Sequence, residues 1–125
     1  MLVKKLEDCR ESVAADKTIL REVLHRKNDG VDLRYSLAHA KLGAGDVSLP
    51  HRLRTSEVYY FLKGQGIMHI NQESQKVSEG YAVYIPPNAV QYVENPGGKE
   101  LEFLCIVDPA WRQEDEEVIT RSSFV

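Results

Sequence analysis

The sequence lacks the features that mark secreted, membrane-spanning or nucleic-acid-binding proteins. Its 125 residues hold only two cysteines, Cys9 and Cys105, too few for a disulfide framework. No run approaches the roughly 18 apolar residues that a membrane-spanning helix needs, and the N-terminus lacks the apolar stretch of a signal peptide. Basic residues do not cluster, and the net charge is only −3. We therefore expect a cytoplasmic protein that binds neither nucleic acid nor membrane.

The sequence does contain the pattern of an all-β protein. Turn signals rich in glycine, proline and asparagine recur every 8 to 15 residues and separate short runs of β-branched and aromatic residues. Such even spacing predicts a sandwich or a closed barrel. Only Ala110–Val118 is predicted to begin a short helix, with Glu114–Glu117 as its solvated face. The predicted strands are 18–25, 31–42, 56–63, 66–70, 74–78, 81–85, 90–94 and 100–108.

A block from Gly45 to Gly64 carries the most informative spacing. His51 and Glu57 stand where the pattern G-x5-H-x-H-x3-E-x6-G has its first histidine and its glutamate, and Leu53 replaces the second histidine. This block resembles the first motif of the cupin family.

A second block resembles the second cupin motif, G-x5-P-x-G-x2-H-x3-N. Gly80, Pro86 and Asn95 match this pattern, whereas Asn88 replaces the glycine and Gln91 replaces the histidine. Asparagine tolerates a positive φ better than most residues, so the change at position 88 is mild.

The resemblance implies an all-β double-stranded β-helix, or jelly-roll barrel. We expect one cupin domain over residues 1–125, with a core barrel over about 31–108. Residues 1–30 would add an N-terminal strand extension, and residues 109–125 a C-terminal segment. Small cupins commonly pair, and a short barrel exposes edge strands, so a homodimer is expected.

The resemblance also implies a metal centre, because the motif histidines and glutamate of metal-binding cupins converge on one ion. His51, Glu57 and Gln91 are the candidate ligands, and His39 on the preceding strand is a tentative fourth. Imidazole and carboxylate suit one Zn, Fe, Mn or Ni ion per chain. Leu53 cannot ligate. The alternative is a metal-free pocket in which the polar groups satisfy one another and His51 and Glu57 form an acid–base pair.

Strand alternation predicts which other side chains face the pocket. Tyr59 and Phe61 share a face with Glu57, and Tyr84, Tyr92 and Trp111 are predicted near the mouth. The alternative for each aromatic residue is a place in the core. Two arginines bracket Leu53, and the predicted alternatives for them are binding of a substrate carboxylate and a place on the surface.

Two functional hypotheses follow. The first is a metal-dependent enzyme acting on a small oxygenated metabolite, of isomerase, dioxygenase or lyase type, with Glu57 and His51 as the catalytic candidates. The alternative is a non-catalytic module that binds a small sugar or carboxylate and keeps only part of the metal site. Either way the expected partner is a small-molecule ligand.

Overall fold

Short strands form about half of the structure, a computed structural model that describes residues 1–119. A single turn of α-helix, α1 (Arg26–Asp29), ends at Gly30, which adopts the left-handed conformation. Single 3-10 turns cover Leu6–Asp8 and Gln113–Asp115. Within residues 1–119 the strands are β1 (Glu11–Val13), β2 (Ile19–Leu24), β3 (Ser36–Leu42), β4 (His51–Leu53), β5 (Ser56–Lys63), β6 (Gln65–Ile70), β7 (Glu73–Ser78), β8 (Ala82–Ile85), β9 (Gln91–Glu94), β10 (Leu101–Asp108) and β11 (Glu116–Val118).

The strands of residues 1–119 pair into two antiparallel sheets that face each other. The first has the order β1-β2-β3-β10-β5-β8 and the second the order β11-β4-β9-β6-β7. The consecutive strands β4 and β5 belong to different sheets, and side chains on the inner faces of both line the same interior. The predicted all-β jelly-roll barrel is confirmed.

The interior is filled at one place by aromatic side chains. Along β10, Phe103 and Cys105 are buried while Leu104 and Ile106 are only partly covered, the alternation that a two-layer barrel requires. Phe103 packs against Tyr59 and Phe61, with ring centroids 4.6 Å and 5.3 Å apart. Burying a large apolar side chain contributes about 1.5–3 kcal/mol. The three rings lie on neighbouring strands of the six-stranded sheet, and Met68 and Val93 of the other sheet belong to the same core.

At two positions of the cupin motifs, Gly64 and Asn88, the turn has a left-handed backbone. Gly64 has a φ of +89°, and a Cβ there would lie 2.8 Å from the carbonyl oxygen of Glu100. Asn88 has a φ of 68°, so asparagine adopts the left-handed conformation at the glycine position of the second motif. The expectation that Asn88 is a mild replacement is confirmed.

The C-terminal segment differs from its predicted structure. The expected helix over Ala110–Val118 is wrong, because this segment forms a 3-10 turn followed by β11, which pairs with β4. The predicted solvated face is also wrong in part, since Asp115 is buried and Glu116 is half-buried. Asp115 is held by two hydrogen bonds of 2.9 Å from Arg112, which offsets the cost of burying a carboxylate. No helix within the described range, 1–119, has the length and apolarity to cross a membrane.

Candidate functional site

A cavity of about 560 Å³ lies between the sheets beside the aromatic cluster. Its walls come from three parts of the chain: the barrel strands, the N-terminal segment around β1, and the C-terminal segment from Trp111 onward. A cavity of this volume accommodates a small metabolite. The lining residues that carry the chemistry below are Asp16, His51, Glu57, Tyr59, Trp111 and Glu116.

Glu57 projects from β5 into this cavity as a buried carboxyl group. Its Oε1 accepts a 2.9 Å hydrogen bond from Nε2 of Gln91, which lies on β9 in the opposite sheet. Burial raises the pKa of Glu57 to about 8, while the Gln91 hydrogen bond lowers it and the nearby carboxylates of Asp16 and Glu116 raise it further. At neutral pH the group is therefore protonated and can give up a proton.

Gln91 is completely buried and connects the two motif residues. It is the register partner of His51 across β9 and β4, and its side chain reaches Glu57. Its Oε1 has no hydrogen-bond partner among residues 1–119. A neutral amide at this place holds Glu57 in position without contributing a charge to the cavity.

His51 enters the cavity from β4 with one ring nitrogen already engaged. Its Nδ1 donates to the backbone carbonyl of Leu49 at 3.1 Å. Because a carbonyl can only accept, the proton of a neutral imidazole resides on Nδ1, and Nε2 keeps its lone pair. Nε2 is thus available to accept a proton from a bound molecule.

Two carboxylates that sequence reasoning missed flank this imidazole. Oδ2 of Asp16 lies 3.8 Å from Nδ1 of His51, and Oε2 of Glu116 lies 3.9 Å from Nε2. Burial raises the pKa of Glu116, the nearby His51 lowers it, Asp16 raises it further, and a hydrogen bond with Trp111 lowers it. Both carboxylates come from outside the barrel motifs, so no spacing along the sequence could relate them to His51.

Asp16 is held rigidly by its own turn. Its Oδ1 accepts hydrogen bonds from the backbone N–H of Thr18 at 3.1 Å and from the Thr18 hydroxyl at 2.7 Å. Its backbone carbonyl accepts from the N–H of Leu49 at 2.8 Å, which ties the N-terminal segment to the chain just before β4. These contacts leave Oδ2 facing His51.

The tentative fourth ligand, His39, does not line the cavity. Ala38 faces the cavity, and His39 alternates with it on β3, so the imidazole lies on the outer face of the six-stranded sheet. There its Nε2 lies 3.0 Å from Oε1 of Glu102. The contact with the half-buried Glu102 explains this histidine, and its predicted place in the cavity is corrected.

The predicted aromatic walls are correct only in part. Tyr59 and Trp111 line the cavity. Phe61 instead belongs to the packed core, fully buried against Phe103. Tyr84 is 62% exposed on the outer face of β8, because its neighbour Ile85 takes the inward position.

Tyr92 also faces away from the cavity. It follows Gln91 on β9, so strand alternation turns it outward, where its ring stacks on His69 at 4.2 Å. Of the two arginines that bracket Leu53, Arg52 donates to Glu117 at 2.7 Å on the exposed side of β4. Neither Arg52 nor Arg54 is among the cavity-lining residues.

The residues present do not fit the metal centre that the motifs imply. Leu53 places a buried apolar side chain in the cavity wall at the second histidine position. Gln91 uses its amide nitrogen to bond Glu57, and its amide oxygen, which has no hydrogen-bond partner among residues 1–119, is a neutral and weaker donor for such a metal. Within residues 1–119 no three His, Cys, Asp or Glu side chains are grouped so that they could hold an ion. His51 and Glu57 alone are an incomplete donor set for a metal ion.

The comparison with known proteins decides the family. The family model described as "Cupin domain" matches residues 38–107. The chain belongs to the cupin family. Asp16, Trp111 and Glu116 fall outside the matched residues.

Similar cupins and barrel structures span nearly the whole chain. An uncharacterised protein of Methanocaldococcus jannaschii is 37% identical over 108 residues, 86% of each chain. Among solved structures, the polyketide cyclase RemF of Streptomyces resistomycificus has a TM-score of 0.81 at 17% identity and covers 99% of this chain and 90% of its own. The Streptomyces nucleoside dehydratase Pac13 has a TM-score of 0.76 at 19% identity, covering 95% and 91%. These structural likenesses concern the fold.

Proposed function

We propose that this cupin is an enzyme that moves protons on a small polar metabolite, in an isomerase- or lyase-type reaction. One observation carries the proposal: a single cavity contains a buried, protonated carboxyl group, Glu57, and an imidazole with a free lone pair, His51. Groups of opposite proton-transfer capacity in one cavity are what general acid–base catalysis requires.

In this proposal Glu57 is the general acid and His51 the general base. Gln91 and the carbonyl of Leu49 are positioning groups, because each fixes one of the two through a single hydrogen bond. The Tyr59 and Trp111 rings form apolar parts of the wall. The fold relatives support the class, since a polyketide cyclase and a nucleoside dehydratase both use this barrel, and Pac13 variants have been crystallised with uridine.

The test does not need the substrate to be known in advance. A panel of nucleosides, sugars and keto acids is incubated with the protein in D₂O, and proton NMR follows deuterium uptake and product formation. We expect a compound whose exchange requires the wild type and is lost in His51→Ala and Glu57→Gln. Glu117→Gln is the matched control, because it removes an exposed carboxylate on the same strand as Glu116.

Two other results would contradict the proposal. Compounds that bind without exchange or turnover would indicate the non-catalytic binding module. Protein purified without chelator could instead contain about one equivalent of metal that is lost in both His51→Ala and Glu57→Ala. That result would support the hypothesis of a metal-dependent enzyme. The metal ion stays a prediction until that elemental analysis is made.

The homodimer also stays a proposal, and an outer surface supports it. Four apolar residues on neighbouring strands form one row across the six-stranded sheet, and the row ends at the edge strand β8. An apolar row beside an unpaired edge suits pairing with a second copy about a two-fold axis. The residues of the row are Leu37, Ile106, Val58 and Tyr84.

Light scattering tests this pairing. We expect a mass of twice the 14.2 kDa chain for the wild type and a monomer for the double substitution Val58→Lys, Tyr84→Lys. Tyr81→Lys, at a tyrosine outside this row that is 47% exposed, serves as the control. A monomeric wild type would refute the proposal.

A further inference from the structure

The charged groups that line the cavity are unevenly divided between acids and bases. The barrel strands contribute Glu57 and His51, the N-terminal region adds Asp16 and Glu22, and the C-terminal segment adds Glu116. Even without Glu57, which is protonated, and with His51 counted as a cation, the lining acids Asp16, Glu22 and Glu116 outnumber the lining bases. The remaining base is the exposed side chain of Arg10.

Among residues 1–119 the Asp16 and Glu116 carboxylates have no cationic partner within hydrogen-bond distance. The contacts of Asp16 and Glu116 with His51, 3.8 Å and 3.9 Å, exceed hydrogen-bond distance. Arg112, on the same C-terminal segment, is engaged by Asp115 and Glu114. Charge in a cavity with low-dielectric walls acts more strongly than charge on an open surface.

We infer that the terminal segments make this cavity selective for a ligand that carries a cationic nitrogen group, such as a protonated amine. The ammonium group would lie in the cavity within reach of the Asp16 and Glu116 carboxylates, and the Trp111 ring, which also lines the cavity, would add cation–π attraction. A carboxylate such as oxalate, or a phosphate, would be repelled. The inference rests on the proposed function in that the cavity is taken to bind a small molecule.

Trp111 allows a test that requires no ligand. It is the only tryptophan of the 125 residues, it is half-buried, and it lines the cavity. Collisional quenching of its fluorescence by caesium, iodide and neutral acrylamide therefore reports how cations, anions and uncharged solutes enter. Each quenching constant is divided by that of N-acetyltryptophanamide at the same low ionic strength.

We expect the normalised caesium-to-iodide ratio of the wild type to exceed one and to fall about threefold or more in the double variant Asp16→Asn, Glu116→Gln. Asparagine can still accept the two hydrogen bonds from Thr18, and acrylamide quenching shows whether access to the ring has changed. Glu117→Gln removes the same charge outside the cavity and should leave the ratio nearly unchanged. Equal caesium and iodide quenching in the wild type, or equal effects of cavity and control substitutions, would overturn the inference.

A ligand screen then separates this inference from the proposed function. Thermal shifts are measured with panels of primary amines, neutral polyols and carboxylates of similar size. Stabilisation by amines, lost in the double variant, supports both. Stabilisation by carboxylates would refute the charge selectivity and leave the proposed function in place. Stabilisation by no compound, with the quenching asymmetry present, would count against the proposed function alone.

Discussion

The buried carboxyl group of Glu57 should make the stability of this barrel depend on pH in a way that one substitution removes. Its pKa is about 8 in the folded protein, against 4.5 for an ordinary glutamate, chiefly because of burial. Glu57→Gln replaces it with a neutral side chain of nearly the same shape. The new amide oxygen can accept the same hydrogen bond from Gln91.

The size of the effect follows from these two pKa values. Below pH 4.5 the carboxyl is protonated in both the folded and the unfolded chain, so its ionisation does not affect stability. Between the two pKa values only the unfolded chain ionises, and the folded state loses about 1.4 kcal/mol of stability per pH unit. Above pH 8 the loss is complete, at about 5 kcal/mol. Between pH 5 and pH 8.5 the Glu57→Gln protein should therefore gain about 4 kcal/mol relative to the wild type.

Urea denaturation at half-unit pH steps measures this difference. Subtracting the two unfolding free energies cancels titrations common to both proteins, including that of Glu116, whose pKa burial also raises. Glu117→Gln, at an exposed position, should show a difference from the wild type that is nearly constant with pH. The series is run with EDTA and repeated after dialysis against Zn²⁺.

A difference that does not change with pH would show that Glu57 does not titrate in this range and would refute its role as a general acid at neutral pH. A slope that is present with EDTA and abolished by Zn²⁺ would show that an ion holds the carboxylate ionised. That result would contradict the incomplete donor set described above.

Three further predictions address the metal motif and the turns. The double substitution Leu53→His, Gln91→His should create a site for about one equivalent of Zn²⁺, measured by isothermal titration, where the wild type binds none tightly. Gly64→Ala should cost about 2 kcal/mol or more in urea denaturation, since it adds a Cβ at positive φ against the Glu100 carbonyl. Asn95→Ala should cost about 3 kcal/mol, because the buried Asn95 amide lies within 3.1 Å of three backbone carbonyl oxygens; a loss below 1 kcal/mol would show that water replaces it.

The barrel was predictable because its sequence signals are local. Turn residues and period-two alternation are set within ten residues, and they placed β5, β9 and β10 within a residue or two of their observed bounds. The strands β4 and β11, three residues each, are too short to show a period. Their pairing depends on contacts between distant parts of the chain, which local patterns do not encode.

The site was predictable only where a motif fixes the spacing. His51 and Glu57 share the cavity, as the motif resemblance implied, although they lie on different strands in different sheets. Tyr92 was predicted near the cavity mouth, although it is adjacent to Gln91 on the same strand and strand alternation therefore turns it to the outer face. Asp16 and Glu116 belong to segments without regular alternation, and only the folded chain brings them to His51.

The first and last strands of residues 1–119 lie at the edges of the two sheets. β1 pairs only with β2 within residues 1–119, and β11 only with β4, so exchanging either segment for another would leave the central ladders intact. Because Val118 of β11 pairs with His51 and Asp16 lies 3.8 Å from its ring, a change in either end segment would alter the surroundings of His51, while Glu57 stays on β5. Selection for new specificity would act first on the parts of the protein that the barrel needs least.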